Sequence, residues 1–292
     1  MKLIRAHNIL PTVGLTSTAA WIIYPTIATS ITYITSLKFA ITTLNIVLIM
    51  SASMIINDLY DTPIDFINRP DRPLITGAIT PSEAKLAIIG LLGLSEILVM
   101  RFLPMHMQIG NHLSILGILL YTPYLKRIFL VKNLFCAGLI AYSLIFAGLG
   151  AIGDRFGLGM GIYTNIGLLR TVFSVVFLSS FQKEVLLDIS DYEGDRVNNI
   201  QTIATRYGRY NAFMCAYIIL TINIFVNTWV LLGMYGPIGI LFSYFMNPLL
   251  LAIPMIYLDH YSSGSIDGYD RLSNMILSVG LLYFCILSKF RR

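Results

Sequence analysis

Two groups of carboxylates share one spacing. The stretch "INDLYDTPIDFINRPDRPLITG" (56–77) carries Asp58, Asp61 and Asp65, three and then four residues apart, and "KEVLLDISDYEGDRVNNIQTIATRYG" (183–208) carries Asp188, Asp191 and Asp195 with the same steps. Each triplet follows an apolar run, precedes basic residues and is followed at nearly the same distance by a glycine, Gly77 or Gly208. Of the 15 acidic residues, nine fall in the windows 58–71 and 184–195. Two solvated loops would explain acidity but not matched spacing. Residues at i, i+3 or i+4, and i+7 share a helix face. If the apolar helices continue one or two turns past Ile56 and Leu187, each triplet is a carboxylate stripe, with Pro63 set to end the first helix early; Asn57 joins the first stripe at i, i+4, i+8 with Asp61 and Asp65. Glu184, one turn before Asp188, extends the second.

Two facing stripes of like charge repel and resist desolvation, so something cationic belongs between them. Hard oxygen ligands without His or Cys suit Mg²⁺, which bridges carboxylates and substrate phosphates, rather than zinc or copper. The expected partner is an anion, most simply a diphosphate. Arg69, Arg72, Lys126, Arg127, Lys183, Arg196 and Arg206 stand close in sequence to supply phosphate contacts. Arg5 and Asn8, at the start of the first apolar run, are candidates for a contact with a second substrate.

The elements that must hold these residues are set by composition. The 292 residues are 56% hydrophobic and 12% charged, and mean hydropathy is +0.75. An ordinary soluble domain is about 25% charged. Long continuous apolar runs, without the alternation of a barrel, indicate helices that satisfy their backbones internally in lipid. The expectation is an all-α, multi-pass membrane protein. Nine spans are read, at about 8–33, 37–57, 83–103, 111–130, 134–153, 165–187, 210–232, 237–257 and 272–290, bundled around a central cavity that holds a hydrocarbon tail. The triplets follow spans 2 and 6. No polar stretch is long enough for a separate domain, so 1–292 reads as one unit.

With the N-terminus inside, 13 Lys and Arg fall on the cytoplasmic side and 7 outside, which puts both triplets and the Lys126 loop in the cytoplasm. The tail Lys289-Phe290-Arg291-Arg292 runs against that bias. Cys136, Cys215 and Cys285 lie within apolar runs and read as small buried hydrophobes. Glu96, within span 3, reads as a structural acid hydrogen-bonded to a neighbouring Ser or Thr. The four histidines receive no role, and Asp259, Asp267 and Asp270 read as part of a lid or connector.

These motifs resemble a known family. "NDLYDTPID" resembles the NDxxDxxxD signature of the UbiA superfamily of intramembrane prenyltransferases, and "DISDYEGD" resembles its second aspartate motif. "INRPDRPLITGAITPSEA" looks most like the branch with geranylgeranyl donors, which includes archaeal digeranylgeranylglyceryl phosphate synthases. This chain reads Thr202-Ile203-Ala204 where that branch usually reads Thr-Leu-Pro. The family carries a Tyr and a Lys after span 4; here "YTPYLKR" offers Tyr121 and Lys126, five apart rather than four.

The resemblance implies an Mg²⁺-dependent transferase, with Mn²⁺ as a substitute. Asn57, Asp61, Asp65, Asp188, Asp191 and Asp195 would hold the metal. Asp61, Asp65, Asp191, Asp195 and Lys126 would be essential to catalysis, and Asp58 would stand behind them. Asn57, Arg69, Arg72, Tyr121, Lys126, Arg127, Arg196 and Arg5 would bind substrates: a polyprenyl diphosphate and a small acceptor, with geranylgeranylglyceryl phosphate favoured. An aromatic acceptor and a terpene cyclase remain open, as does, outside enzymes, a cation transporter. Neither nucleic acid nor an obligatory protein partner is expected.

Overall fold

A computed structural model describes residues 8–24, 26–152, 160–241 and 279–289. The described elements are helical. In order they are α1 (Ile9–Ile23), α2 (Ile27–Ile34), α3 (Leu37–Tyr60), α4 (Thr62–Asn68), α5 (Pro81–Phe102), α6 (Met105–Tyr121), a 3₁₀ turn (Leu125–Arg127), α7 (Val131–Ile152), α8 (Met160–Ser190), α9 (Tyr192–Val197), α10 (Ile203–Tyr207) and α11 (Arg209–Tyr235). Helical turns follow at 237–241 and 279–287.

Local chemistry sets the boundaries. Thr80 caps α5 in a reciprocal box with Glu83, and Pro81 opens the helix where a missing N–H costs nothing. Thr26 and Thr202 form similar boxes with Thr29 and Thr205. Gly77 and Gly208, the glycines that follow the two triplets, both adopt positive φ (72° and 90°), a region in which a side chain is strained.

The long helices pack as a bundle in which α8 lies between α7 and α11, α1 lies on α7, and α3 lies on α5. Leu144, Leu168, Val172, Val176, Leu220 and Leu231 form its buried centre. Small residues bring α1 and α7 together: Ala19, Ala20, Ala141 and Ala147 are almost fully buried, the device by which helices associate where lipid offers no hydrophobic drive. The outer surface carries Leu86, Ile89, Ile97, Phe225 and Trp229, an apolar exterior suited to lipid.

Among the described residues, α3, α7 and α11 are long and apolar enough to cross a membrane. The run expected at 8–33 is divided near Pro25 into α1 and α2. The span expected at 111–130 is displaced: α6 begins at Met105, after Pro104, and ends at Tyr121, before Pro123. Residues 242–257 of the expected span 237–257 and 272–278 of the expected span 272–290 lie outside the described residues, as do Arg5, His7, His260, Asp259, Asp267 and Asp270.

Candidate active site

The repeated spacing is a repeated structure. α3 ends at Asp61 and α4 begins there, with φ −86° and ψ 5° at the junction. α9 begins at Asp191, directly after α8, with φ −85° and ψ 7°. In both copies the middle aspartate N–H donates to the carbonyl four residues earlier (Asn57, 2.8 Å; Leu187, 3.0 Å). The third aspartate N–H then donates to the middle one (2.8 and 2.9 Å). The stripes are therefore not on unbroken helices, as the spacing had suggested. Each breaks at its middle aspartate and restarts; the first does so with Pro63 in its opening turn, the second without a proline.

The two motifs meet. The Asn68 side chain at the end of α4 donates to the Asp191 carbonyl at 3.1 Å and accepts from the Gly194 N–H at 3.1 Å. Asp61, Asp65, Asp191 and Asp195 thus converge on the mouth of one cavity of about 1510 Å³. Asn57, Arg69, Arg72, Tyr121, Lys126, Lys132 and Asp188 also line it. Deeper, its wall is Ile49, Met50, Ile118, Leu139 and Phe146. A polar group stands at the far end, where Asn45 donates to Asn111 at 2.7 Å and Ser95 donates to Asn45 at 2.7 Å.

Cations do lie among the carboxylates, and they are side chains. Arg72 bonds Asp58 at 2.8 Å and also bonds Asp65. Lys126 bonds Asp61. Lys132 bonds Asp188 at 2.6 Å and Asp195 at 3.4 Å, with Asn133 donating to the other Asp188 oxygen at 2.7 Å. Arg69 reaches Asp191 at 3.4 Å. Thr122 donates to the Asn57 side-chain carbonyl at 2.6 Å. Burial pushes the Asp65 carboxyl up to about 6, against the pull of Arg72, and does the same to Asp195 against Lys132.

With each carboxylate drawn to a lysine or arginine, no three acidic, His or Cys side chains among the described residues cluster tightly enough to hold a metal as they stand. The donor chemistry nevertheless fits a hard divalent ion. Every candidate ligand is an oxygen, and each is held by side-chain contacts that a cation of higher charge can replace.

Most of the expected residues come together here; some do not. Arg127 and Arg196 are exposed and lie off the cavity lining. Arg206 stacks over Phe129 and Tyr207 instead of meeting the site. Asp58 is 3% exposed and sits behind Arg72, outside the lining. Tyr121 is in the wall, its ring stacked on Phe135 at 4.8 Å between centroids. Glu96 is bonded not to Ser or Thr but to Asn111 at 3.0 Å and His112 at 2.9 Å. Lys132, Asn133, Thr122 and Asn68 also belong to the site and were not singled out by the sequence pattern. The one signal was polarity: "KN" (132–133) opens an otherwise apolar helix.

An apolar helical bundle, open at one end through paired carboxylates and basic side chains, defines an enzyme for a lipid with an anionic head. The chain belongs to the UbiA prenyltransferase family, whose sequence model matches residues 14–269, and it is a membrane enzyme that transfers prenyl groups. Curated relatives include the digeranylgeranylglyceryl phosphate synthase of Saccharolobus solfataricus, 27% identical over 273 residues that cover 93% of this chain and 89% of the relative. The synthase of the same name from Sulfolobus acidocaldarius is 31% identical over 229 residues, covering 78% and 76%. Among solved structures, the apo form of a UbiA homolog from Aeropyrum pernix K1 matches with a TM-score of 0.73 at 18% identity, covering 97% of this chain and 98% of that one. A UbiA homolog from Archaeoglobus fulgidus bound to GPP and Mg²⁺ matches with a TM-score of 0.67 at 18% identity, covering 99% and 98%.

Proposed function

We propose that this enzyme moves a geranylgeranyl group from its diphosphate to the free hydroxyl of geranylgeranylglyceryl phosphate, in a nine-span bundle with both triplets on the cytoplasmic side. The observation that carries the reading is the placement of both triplets at one end of an apolar cavity. A donor with a charged head and a hydrocarbon tail needs both halves of that arrangement. The names of the curated relatives support the acceptor.

Asn57, Asp61, Asp65, Asp188, Asp191 and Asp195 are the ligands assigned to Mg²⁺, with Mn²⁺ as a substitute; the Mg²⁺-bound homolog supports the choice of Mg²⁺. Bound there, the metal supplies positive charge to the leaving diphosphate. Arg69, Arg72 and Lys126 line the same mouth and bind the diphosphate oxygens. The stacked Tyr121 and Phe135 turn aromatic surface to the cavity, where an allylic cation is stabilised by ring faces. The apolar wall keeps bulk water from that cation.

The test is to incubate purified protein with labelled geranylgeranyl diphosphate and each candidate acceptor, and to identify the product by mass. The expected product is the lipid ether. Product with an aromatic acid alone would remove the lipid acceptor and leave the transferase, and a cyclised hydrocarbon formed without acceptor would make the protein a cyclase.

A further inference from the structure

The carboxylates of the cavity are not equivalent. Asp61 holds Lys126, Asp65 holds Arg72, Asp188 and Asp195 share Lys132, and Asp191 meets Arg69. Glu184 lines the same cavity, yet its carboxylate has no hydrogen bond and no ion pair among the described residues. Lys132 and Lys183 act on it only through space, as do Asp188 and Asp191.

Its place is specific. Glu184 lies one turn before Asp188 on α8, roughly 6 Å further along the axis toward the hydrocarbon end. Tyr121 and Cys136 line the same cavity and hydrogen-bond to each other at 3.1 Å. An ionisable side chain within a membrane bundle is costly and is a functional residue by default. Here the cost is not offset by a partner. The carboxylate lines the cavity one helical turn inside Asp188, on the apolar side of the paired charges.

We infer that Glu184 is the general base that takes the proton of the acceptor; this rests on the reading that the acceptor is a lipid alcohol. The bond between donor C1 and the bridging oxygen breaks, and its electron pair leaves with the diphosphate. A lone pair of the acceptor hydroxyl forms the new C–O bond. The hydroxyl proton passes to a Glu184 carboxylate oxygen, giving ether, diphosphate and a protonated Glu184 that later releases the proton to water. The aspartates are poor candidates for this step, because each is committed to a cation.

The experiment compares wild type, Glu184→Gln and Glu184→Asp with labelled geranylgeranyl diphosphate and two acceptors: geranylgeranylglyceryl phosphate and an analogue with a thiol in place of the reacting hydroxyl. A thiol is a far stronger acid than an alcohol and so depends less on a base. With the hydroxyl acceptor, kcat of E184Q is expected to fall about 100-fold or more, the size of a general-base contribution. KM for the donor should stay within about threefold, and E184D should fall between. With the thiol acceptor the loss should shrink to less than about tenfold, a rescue that a structural role does not give. An E184Q rate within about threefold of wild type on the hydroxyl would overturn the assignment in favour of the diphosphate as base, and equal losses on both acceptors would overturn it in favour of a structural role. Wild-type protein that forms no ether from the hydroxyl acceptor would instead sink the acceptor reading, and this assignment with it.

Discussion

The side-chain amide of Asn68 occupies the space that a side chain at residue 194 would need. A Cβ on Gly194 would lie 2.3 Å from the Asn68 amide nitrogen and 2.6 Å from its oxygen, and the same amide bonds the backbone of 191 and 194. This contact fastens α4 to α9. Gly194→Ala and Asn68→Ala are each expected to lower kcat/KM for the donor roughly tenfold, the worth of one or two hydrogen bonds. The double variant should be little worse than either, because both act on one joint. Steady-state kinetics check this; additive losses would mean that the two residues act separately.

Lys132 is the counter-charge of the second triplet. Asp188 is 1% exposed and depends on it. Lys132→Met leaves two buried carboxylates uncompensated and should cost about 3–5 kcal/mol. Thermal unfolding in detergent should show a lower Tm, and added Mg²⁺ should raise it more in the variant than in wild type. An unchanged Tm would show that another group neutralises the pair.

Asp61→Ala, Asp65→Ala, Asp191→Ala and Asp195→Ala are each expected to reduce turnover by several orders of magnitude, and excess chelator should abolish it. On the proposed assignment every variant removes a metal ligand, and each also takes one carboxylate from a basic side chain. Full activity in chelator would refute the metal assignment.

Asp65 and Asp195 sit at about 6, above the ordinary 3.8. The folded chain therefore holds these protons more tightly than the unfolded chain. Without metal, stability falls as pH rises from about 4 to about 6. Metal binding needs the ionised form, so its dependence has the opposite sign: affinity weakens as pH drops below about 6. The Mg²⁺ concentration for half-maximal rate should be roughly tenfold higher at pH 5.5 than at 7.5. A pH-independent requirement would mean that these two carboxylates are not ligands.

Cysteines placed at the exposed positions Asp71 and Val197, in a chain without Cys136, Cys215 and Cys285, should react with an impermeant thiol reagent from the cytoplasmic side. Labelling from opposite faces is incompatible with one shared mouth.

The triplets were legible because the side-chain period of a helix survives in the sequence, and two matched copies exceed what a solvated loop requires. The glycines after them were legible only as matched positions; that Gly77 and Gly208 both adopt positive φ is seen in the structure. Partners were not legible. Lys132 meets Asp188 across 56 positions and Asn68 meets Gly194 across 126, and nothing in a local pattern encodes such pairings. The break at Asp191 has no proline to signal it. The ends of α6 were readable from Pro104 and Pro123 but were masked by an apolar run that continues past both. Arg127 and Arg196 had the right charge and neighbourhood, yet they point to solvent because the short elements that carry them turn them away from the mouth.

Internal cations make the mouth an exchange device. Lys126, Lys132 and Arg72 offset part of the charge of Asp58, Asp61, Asp65, Asp188 and Asp195 while the site waits. If the carboxylates take a divalent ion, as proposed, these side chains would be released and their positive charge would be available to an entering diphosphate. The two arrivals are thermodynamically linked: each raises the affinity for the other by the same factor. On the proposed assignment neither would be held well alone, and the cavity would admit its donor as a neutralised metal salt rather than as a free anion or a free cation.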